Sequence, residues 1–204
     1  MLLDLIKLKN KYHMNISGVI HIGAHYGEEY NLYRSLGIEN TIFFEPLENN
    51  YKVLVSKVPQ DLCFKMALGS SECDVEMFVE EANKGQSSSI LEPEIHLMQY
   101  PHIVFNKKEK VKMKTLDSFN FGSKYNMINI DVQGYELEVF KGATHTLNNI
   151  DYIIAEVNRA DVYKNCCKVQ ELDEFLSTYG FSRVETSWEG MTWGDALYAK
   201  KSSV

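Results

Sequence analysis

Glu45, Asp131 and Glu156 stand at or near the ends of three short apolar runs, NTIFFE, YNMINID and DYIIAEVN. A carboxylate in such a place can accept hydrogen bonds from a diol, or take the proton of a hydroxyl about to act as a nucleophile. It can equally cap the helix that follows, where the helix macrodipole favours negative charge. Three of them beside a glycine-containing loop favour a site. That loop is VIHIGAHYGE, residues 19–28. A dinucleotide loop reads G-x-G-x-x-G, and its middle glycine lets the backbone touch a pyrophosphate. Counted from Gly23, the later glycine positions hold His25 and Glu28. The histidine obstructs that approach, and the glutamate puts negative charge where a phosphate would sit. The sequence also has no G-K-[ST] phosphate loop. The loop therefore suits a nucleoside ligand without phosphate, and Glu45 suits the two hydroxyls of its ribose.

Holding these residues together requires an ordered set of elements. Leucines and isoleucine at helical spacing predict a leading helix over 2–12, within residues 1–14. Strands are expected at 18–22, at 40–45 (ended by Pro46) and at 62–67, with helices at 28–36 (stopped by Gly37) and 48–57. Residues 69–116 read as an insertion over the acceptor site. It holds an alternating strand at 74–79, the polar loop EANKGQSSS, and a stretch over 92–108 with Pro93, Pro101 and no clean period. It is expected to hold loops rather than form a separate domain, being too short for a core of its own. Alternation resumes with a strand at 125–131, a helix at 135–147, a strand at 151–158 and a helix at 169–179 ended by Gly180. Runs 181–187 and 192–200 are close enough to form an antiparallel pair. The expected architecture is α/β: five parallel strands, each followed by a helix, then a closing hairpin, in a single domain over 1–204. Ligands of such a sheet bind outside the carboxyl ends of the strands. The candidate positions are therefore Gly23 to Gly27, Glu45-Pro46, Met66-Ala67, Asp131 to Gly134, and Glu156 to Asn158.

Bulk properties narrow the partners. The formal net charge of −7 argues against nucleic acid, whose binders carry a basic footprint. The longest apolar runs, 127–130 and 152–155, are too short to span a bilayer. The N-terminal MLLDLIKLKNKYHM is interrupted by Asp4, Lys7 and Lys9 and does not read as a secretory signal, so a cytoplasmic location is expected. Cys63, Cys73, Cys166 and Cys167 make no CxxC pair and read as free thiols.

Four stretches in order carry a family resemblance: VIHIGAHYGEE, IFFEPLENNYKVL, VKMKTLDSF, and INIDVQGYELEVFKGA, with IIAEVN following. Over about 18–158 the chain resembles the S-adenosylmethionine (SAM)-dependent methyltransferases and, within them, the FkbM family. The resemblance implies a class I, Rossmann-like three-layer sandwich with a mostly parallel seven-stranded sheet and a C-terminal antiparallel hairpin. It implies SAM as cofactor, S-adenosylhomocysteine as product, and O-methylation of sugars, glycans or other hydroxylated small molecules. By position, Gly23, Ala24, His25 and Gly27 would wrap the amino acid half of SAM. Glu45, followed by Pro46, would hold the ribose, Met66 and Ala67 would lie against the adenine, and Asp131 would sit near the methyl group. The chain departs from the family at His21, usually acidic, and at His25, usually asparagine.

Methyl transfer needs an aligned acceptor oxygen and a group to take its proton. Asp131 is the first candidate and Glu156 the second, with His25 and His102 behind them. Asp131 and Glu156 could share a Mg²⁺, but no metal-spacing motif demands one, and none is expected. Acceptor contacts are expected from Ser88 in the hydroxyl-bearing 87–89 loop, from Gln133 and Asn158, and from Trp188 and Trp193 of the WEGMTW turn. An acceptor other than a sugar, a NAD(P)-binding oxidoreductase and a SAM-binding protein without activity are the alternatives. A monomer or a homodimer is expected.

Overall fold

The computed structural model describes residues 2–200. Its strands β1 (Gly18–Ile22), β2 (Asn40–Phe44), β3 (Cys63–Phe64), β7 (Met127–Ile130) and β8 (Tyr152–Asn158) pair in parallel. Every residue of β1, β7 and β8 is buried, the pattern of strands covered on both faces. β10 (Trp193–Lys200) runs antiparallel between β8 and β9 (Phe181–Glu189), so β9 points the same way as the parallel strands. The sheet order is β3-β2-β1-β7-β8-β10-β9. The chain winds outward from β1 to β3, then returns to β7 on the other side of β1. This switch point opens a crevice between the tips of β1 and β7.

The alternation of side chains assigns each helix to a face. Ile20 and Ile22 pack with Val139 and Phe140 of α5 (Glu136–Lys141) and with Leu172 and Leu176 of α6 (Val169–Ser177). Val19 and Phe43 pack on the opposite face with Leu5 and Leu8 of α1 (Leu5–Lys11), Tyr33 of α2 (Tyr30–Ser35) and Leu54 of α3 (Glu48–Lys57). Each such fully buried side chain contributes roughly 1.5–3 kcal/mol. α1 and α2 are shorter than the spacing predicts. Asp4 accepts hydrogen bonds from the N–H groups of Ile6 and Lys7, which starts α1 at Leu5. The expected 135–147 helix ends at Lys141 with Gly142 as its cap, a position that only glycine fits, because the Gly69 carbonyl oxygen would lie 2.0 Å from a β-carbon there.

The expected third strand divides in two. Met66 turns its N–H back to Phe64 O at 3.1 Å, and the chain leaves the main sheet. β4 (Ala67–Leu68) then joins a second, three-stranded sheet of order β4-β6-β5, made with β5 (Cys73–Val79) and β6 (Lys107–Lys114). Residues 69–116 thus hold two strands and α4 (Ile95–Gln99), not loops alone. Val111 and Met113 of β6 pack with Met77 and Val79 of β5 and with Leu47. The third parallel strand is accordingly followed by this sheet and not by a helix. Among the described residues no helix is long and apolar enough to cross a membrane.

Candidate active site

The tip of β1 is shaped by backbone contact. Gly23 has φ +77°, and a β-carbon there would lie 1.8 Å from Asp131 O at the tip of β7. The N–H groups of Gly23 and Ala24 both donate to Phe44 O, at 3.0 and 2.9 Å. His25 takes φ +47° with a side chain. Its N–H donates to Glu45 Oε2 at 2.9 Å, its Nδ1 lies 2.8 Å from Glu28 Oε1, and its Nε2 lies 3.0 Å from Lys84 O. Both ring nitrogens therefore face acceptors, and the ring clasps the glycine loop to the 80–90 segment of the insertion.

Glu45 is 4% exposed, and Leu47 N–H donates to its Oε1 at 2.9 Å. Burial pushes its carboxyl up to about 8 against the pull of the Leu47 and His25 N–H groups. Past β7, the chain turns through Gln133 (φ +56°) and Gly134 (φ +94°), where a β-carbon would meet Cys166 Cβ at 2.7 Å. The buried Glu136 folds this turn: its Oε1 accepts from Val132 N–H and Gly134 N–H, each at 3.1 Å. Burial lifts its carboxyl to about 7, with the Asp131 charge adding to the effect.

Gln133 bridges the two central acids. Its Nε2 donates to Asp131 Oδ1 at 2.7 Å and to Glu156 Oε2 at 2.9 Å. Burial holds the Glu156 carboxyl well above the usual carboxylate range, reinforced by the charges of Asp131, Glu136 and Asp195. One oxygen from each of Asp131, Glu136 and Glu156 lies within 4.8 Å of the others, so this trio could hold a hard divalent cation. Tyr163 ties the bridge to the insertion, its hydroxyl 2.7 Å from both Gln133 Oε1 and Ser87 O.

These tips open into a cavity of about 730 Å³. It is lined by most of the residues expected from sequence: Gly23, Ala24, His25, Glu45, Pro46, Met66, Ala67, Ser88, Asp131, Gln133, Glu156 and Trp193. His102 lines it too. Ser88 is buried, not on a solvated loop, and its Oγ accepts from Glu80 N–H at 3.2 Å. Of the residues expected to touch cofactor or acceptor, Gly27, Trp188 and Asn158 lie outside the lining. A β-carbon at Gly27 would face Leu54 and Val58 of the α3 layer. Trp188 packs on the core, with the Arg159 guanidinium 3.5 Å from its ring centroid. Asn158 is fully buried, and neither of its amide atoms has a hydrogen-bond partner among the described residues. Both tryptophans belong to strands, since β9 extends to Glu189 and β10 begins at Trp193.

Two lining residues carry no sequence signal. His96 comes from the aperiodic 92–108 stretch. It is 3% exposed, its Nδ1 has no partner, and its ring packs against Tyr100, Phe105 and Tyr163. Burial lowers its affinity for a proton. Its backbone is fixed, because the N–H groups of Glu94 and His96 both donate to Val162 O. Asp195 is the cross-strand partner of Glu156, and it accepts from Leu2 N–H. Only the pairing of β10 with β8 brings it to the site.

An uncharacterised protein of Listeria monocytogenes serotype 4b aligns with a TM-score of 0.52 at 9% identity, over 98% of this chain and 68% of that one. A Streptococcus pneumoniae protein described as a candidate tRNA (m1A22) methyltransferase aligns with a TM-score of 0.50 at 13% identity, over 98% and 71%. The magnesium protoporphyrin IX methyltransferase of Synechocystis PCC 6803, with bound SAM, aligns with a TM-score of 0.47 at 12% identity, over 95% and 74%. No curated protein matches the sequence significantly. The sheet order, the switch-point crevice and the reversed β10 define the fold of the class I SAM-dependent methyltransferases. The methyltransferase FkbM domain matches residues 21–183, and the chain belongs to that family.

Proposed function

We propose that this protein transfers the methyl group of SAM to a hydroxyl of a sugar or glycan. The observation that carries this reading is the Asp131–Gln133–Glu156 bridge, a proton-accepting group held on the floor of a cavity large enough for a nucleoside and a sugar together.

The cavity divides by chemistry. Glu45 has both oxygens beside the β1 tip, where lone pairs left over from its two backbone contacts suit a ribose diol. Gly23 and Ala24 leave space there for the amino acid end of the cofactor, and Met66 and Ala67 offer an apolar wall to the adenine. His25 holds the loop in place. Bound there, SAM supplies an electrophilic methyl on a cationic sulfonium. Asp131 then serves as the group that orients the acceptor hydroxyl and takes its proton as the new carbon–oxygen bond forms and the carbon–sulfur bond breaks. Gln133 fixes the Asp131 carboxylate, and Glu156 shares that hold. Across the cavity, Trp193 gives an aromatic face for a sugar ring, with its Nε1–H donating to Tyr100 Oη at 3.3 Å. His96, whose Nδ1 has no partner, offers a hydrogen bond to a further hydroxyl.

The test is a methyl-transfer assay over a panel of sugars and glycans, with and without EDTA, for the wild type and Asp131→Asn. The variant should bind SAM with near-native affinity by calorimetry and lose about 10²–10⁴-fold in kcat. Full activity in the variant would remove Asp131 from its role. Transfer only to non-sugar hydroxyls would replace the acceptor class.

A further inference from the structure

The cavity is one-signed. Six carboxyl groups line it, from Glu28, Glu29, Glu45, Asp131, Glu156 and Asp195, of which burial holds those of Glu45, Glu156 and Asp195 towards the protonated form, and no lysine or arginine lines it among the described residues. The backbone donors at the strand tips are also closed. In related sheets the N–H groups after a strand are where an anion is bound. Here, after β1, Glu28 accepts from Tyr26 N–H at 3.1 Å. After β2, Glu45 accepts from His25 and Leu47. After β7, Glu136 accepts from Val132 and Gly134. Each of these anion cradles already contains a protein carboxylate. Outside the lining, Arg159 stacks on Trp188, and Lys168 reaches Asp161 Oδ1 at 2.5 Å.

We infer that the acceptor subsite excludes anions, so that the sugar is methylated only when it carries no phosphate, nucleotide or carboxylate. This rests on the sugar-hydroxyl reading above. Like charges facing each other in a partly buried site select against the wrong partner. SAM, whose sulfonium and ammonium outweigh its one carboxylate, meets the same field with a net positive charge. A place in a reaction sequence follows. Sugars are activated as nucleoside diphosphate esters, so the reaction supplying this substrate is a glycosyl transfer. There an acceptor hydroxyl oxygen bonds to the anomeric carbon and gives up its proton to a base, the bond from that carbon to the phosphate oxygen breaks, the nucleoside diphosphate leaves with the electron pair, and the sugar arrives here as a neutral glycoside.

Methyl α-glycosides of glucose, mannose, galactose and rhamnose would be compared with the matching nucleoside diphosphate sugars and with glucuronic acid, at low and at high salt. A neutral glycoside should exceed its nucleotide form by at least about 10-fold in kcat/KM at low salt, and the gap should narrow as salt screens the charges. Equal or better use of a nucleotide sugar or of glucuronic acid would overturn the inference. UDP and glucuronate would also be titrated calorimetrically into the protein loaded with S-adenosylhomocysteine. Binding of either below about 1 mM overturns the inference even if no sugar is methylated, and absence of binding supports it. Failure of every sugar in the assay, with SAM bound, counts against the sugar reading alone.

Discussion

His96 and the two tryptophans show how side chains of one type divide between site and scaffold. Trp193 lines the cavity and Trp188 does not, although both were expected at the acceptor. Trp193→Ala should raise the acceptor KM about 10-fold and leave the SAM KM unchanged, since one aromatic contact is worth about 0.5–1.5 kcal/mol beyond its buried area. Trp188→Ala should instead lower the melting temperature, because it removes core contact and the seat of Arg159. Steady-state kinetics and thermal melts separate the two. His96 has a buried nitrogen without a partner, and such an atom costs about 1–3 kcal/mol unless something else satisfies it. As the acceptor is expected to meet this ring, His96→Phe should raise the acceptor KM several-fold with SAM binding intact. An unchanged acceptor KM would reduce His96 to packing.

At the scale of elements, the glycine loop is set by its neighbours. Gly23 and Gly37 have nearly the same φ, +77° and +74°. A methyl on Gly37 would meet nothing within 4 Å, whereas one on Gly23 would collide with the Asp131 carbonyl at the tip of β7. Gly37→Ala should cost only the left-handed backbone strain, about 1–2 kcal/mol, and keep SAM affinity. Gly23→Ala must push β1 and β7 apart, so SAM affinity measured by calorimetry should fall by more than about 10-fold along with stability. Equal losses in the two variants would mean that strain alone governs the loop.

Across the whole molecule, the buried acids make stability fall with pH. Glu136 and Glu45 are raised to about 7 and about 8, and Glu156 is raised as well, mainly by burial. A carboxyl raised on folding binds more protons in the native state than in the unfolded one. Its stabilisation is full below the ordinary carboxylate range, about 4.5, and is lost as pH rises through the folded value. The ligand-free protein should therefore melt several degrees lower at pH 8 than at pH 5. Glu136→Gln keeps an acceptor oxygen for Val132 and Gly134 without the charge, so its melting temperature should fall less between these limits. A wild-type melting curve that rises towards pH 8 would contradict this.

The short apolar runs ending in Glu45, Asp131 and Glu156, and the glycines among them, were enough to place most of the main sheet, because each strand declares its burial within a few residues. They also placed one wall of the cavity, since strand tips in a parallel sheet share an edge. The antiparallel β10 was legible as half of a hairpin. What remained hidden depends on long-range pairing. The break at Met66 follows from β4 joining β6 across 46 positions, from Ala67 to Met113. Asp195 reaches the site only because β10 lies against Glu156. His96 is held by Val162, and no local period could announce it. The sequence alone determined which chemistry stands at the strand tips. The tertiary structure decided which other residues close the cavity around it, because those contacts join segments whose own patterns carry no trace of one another.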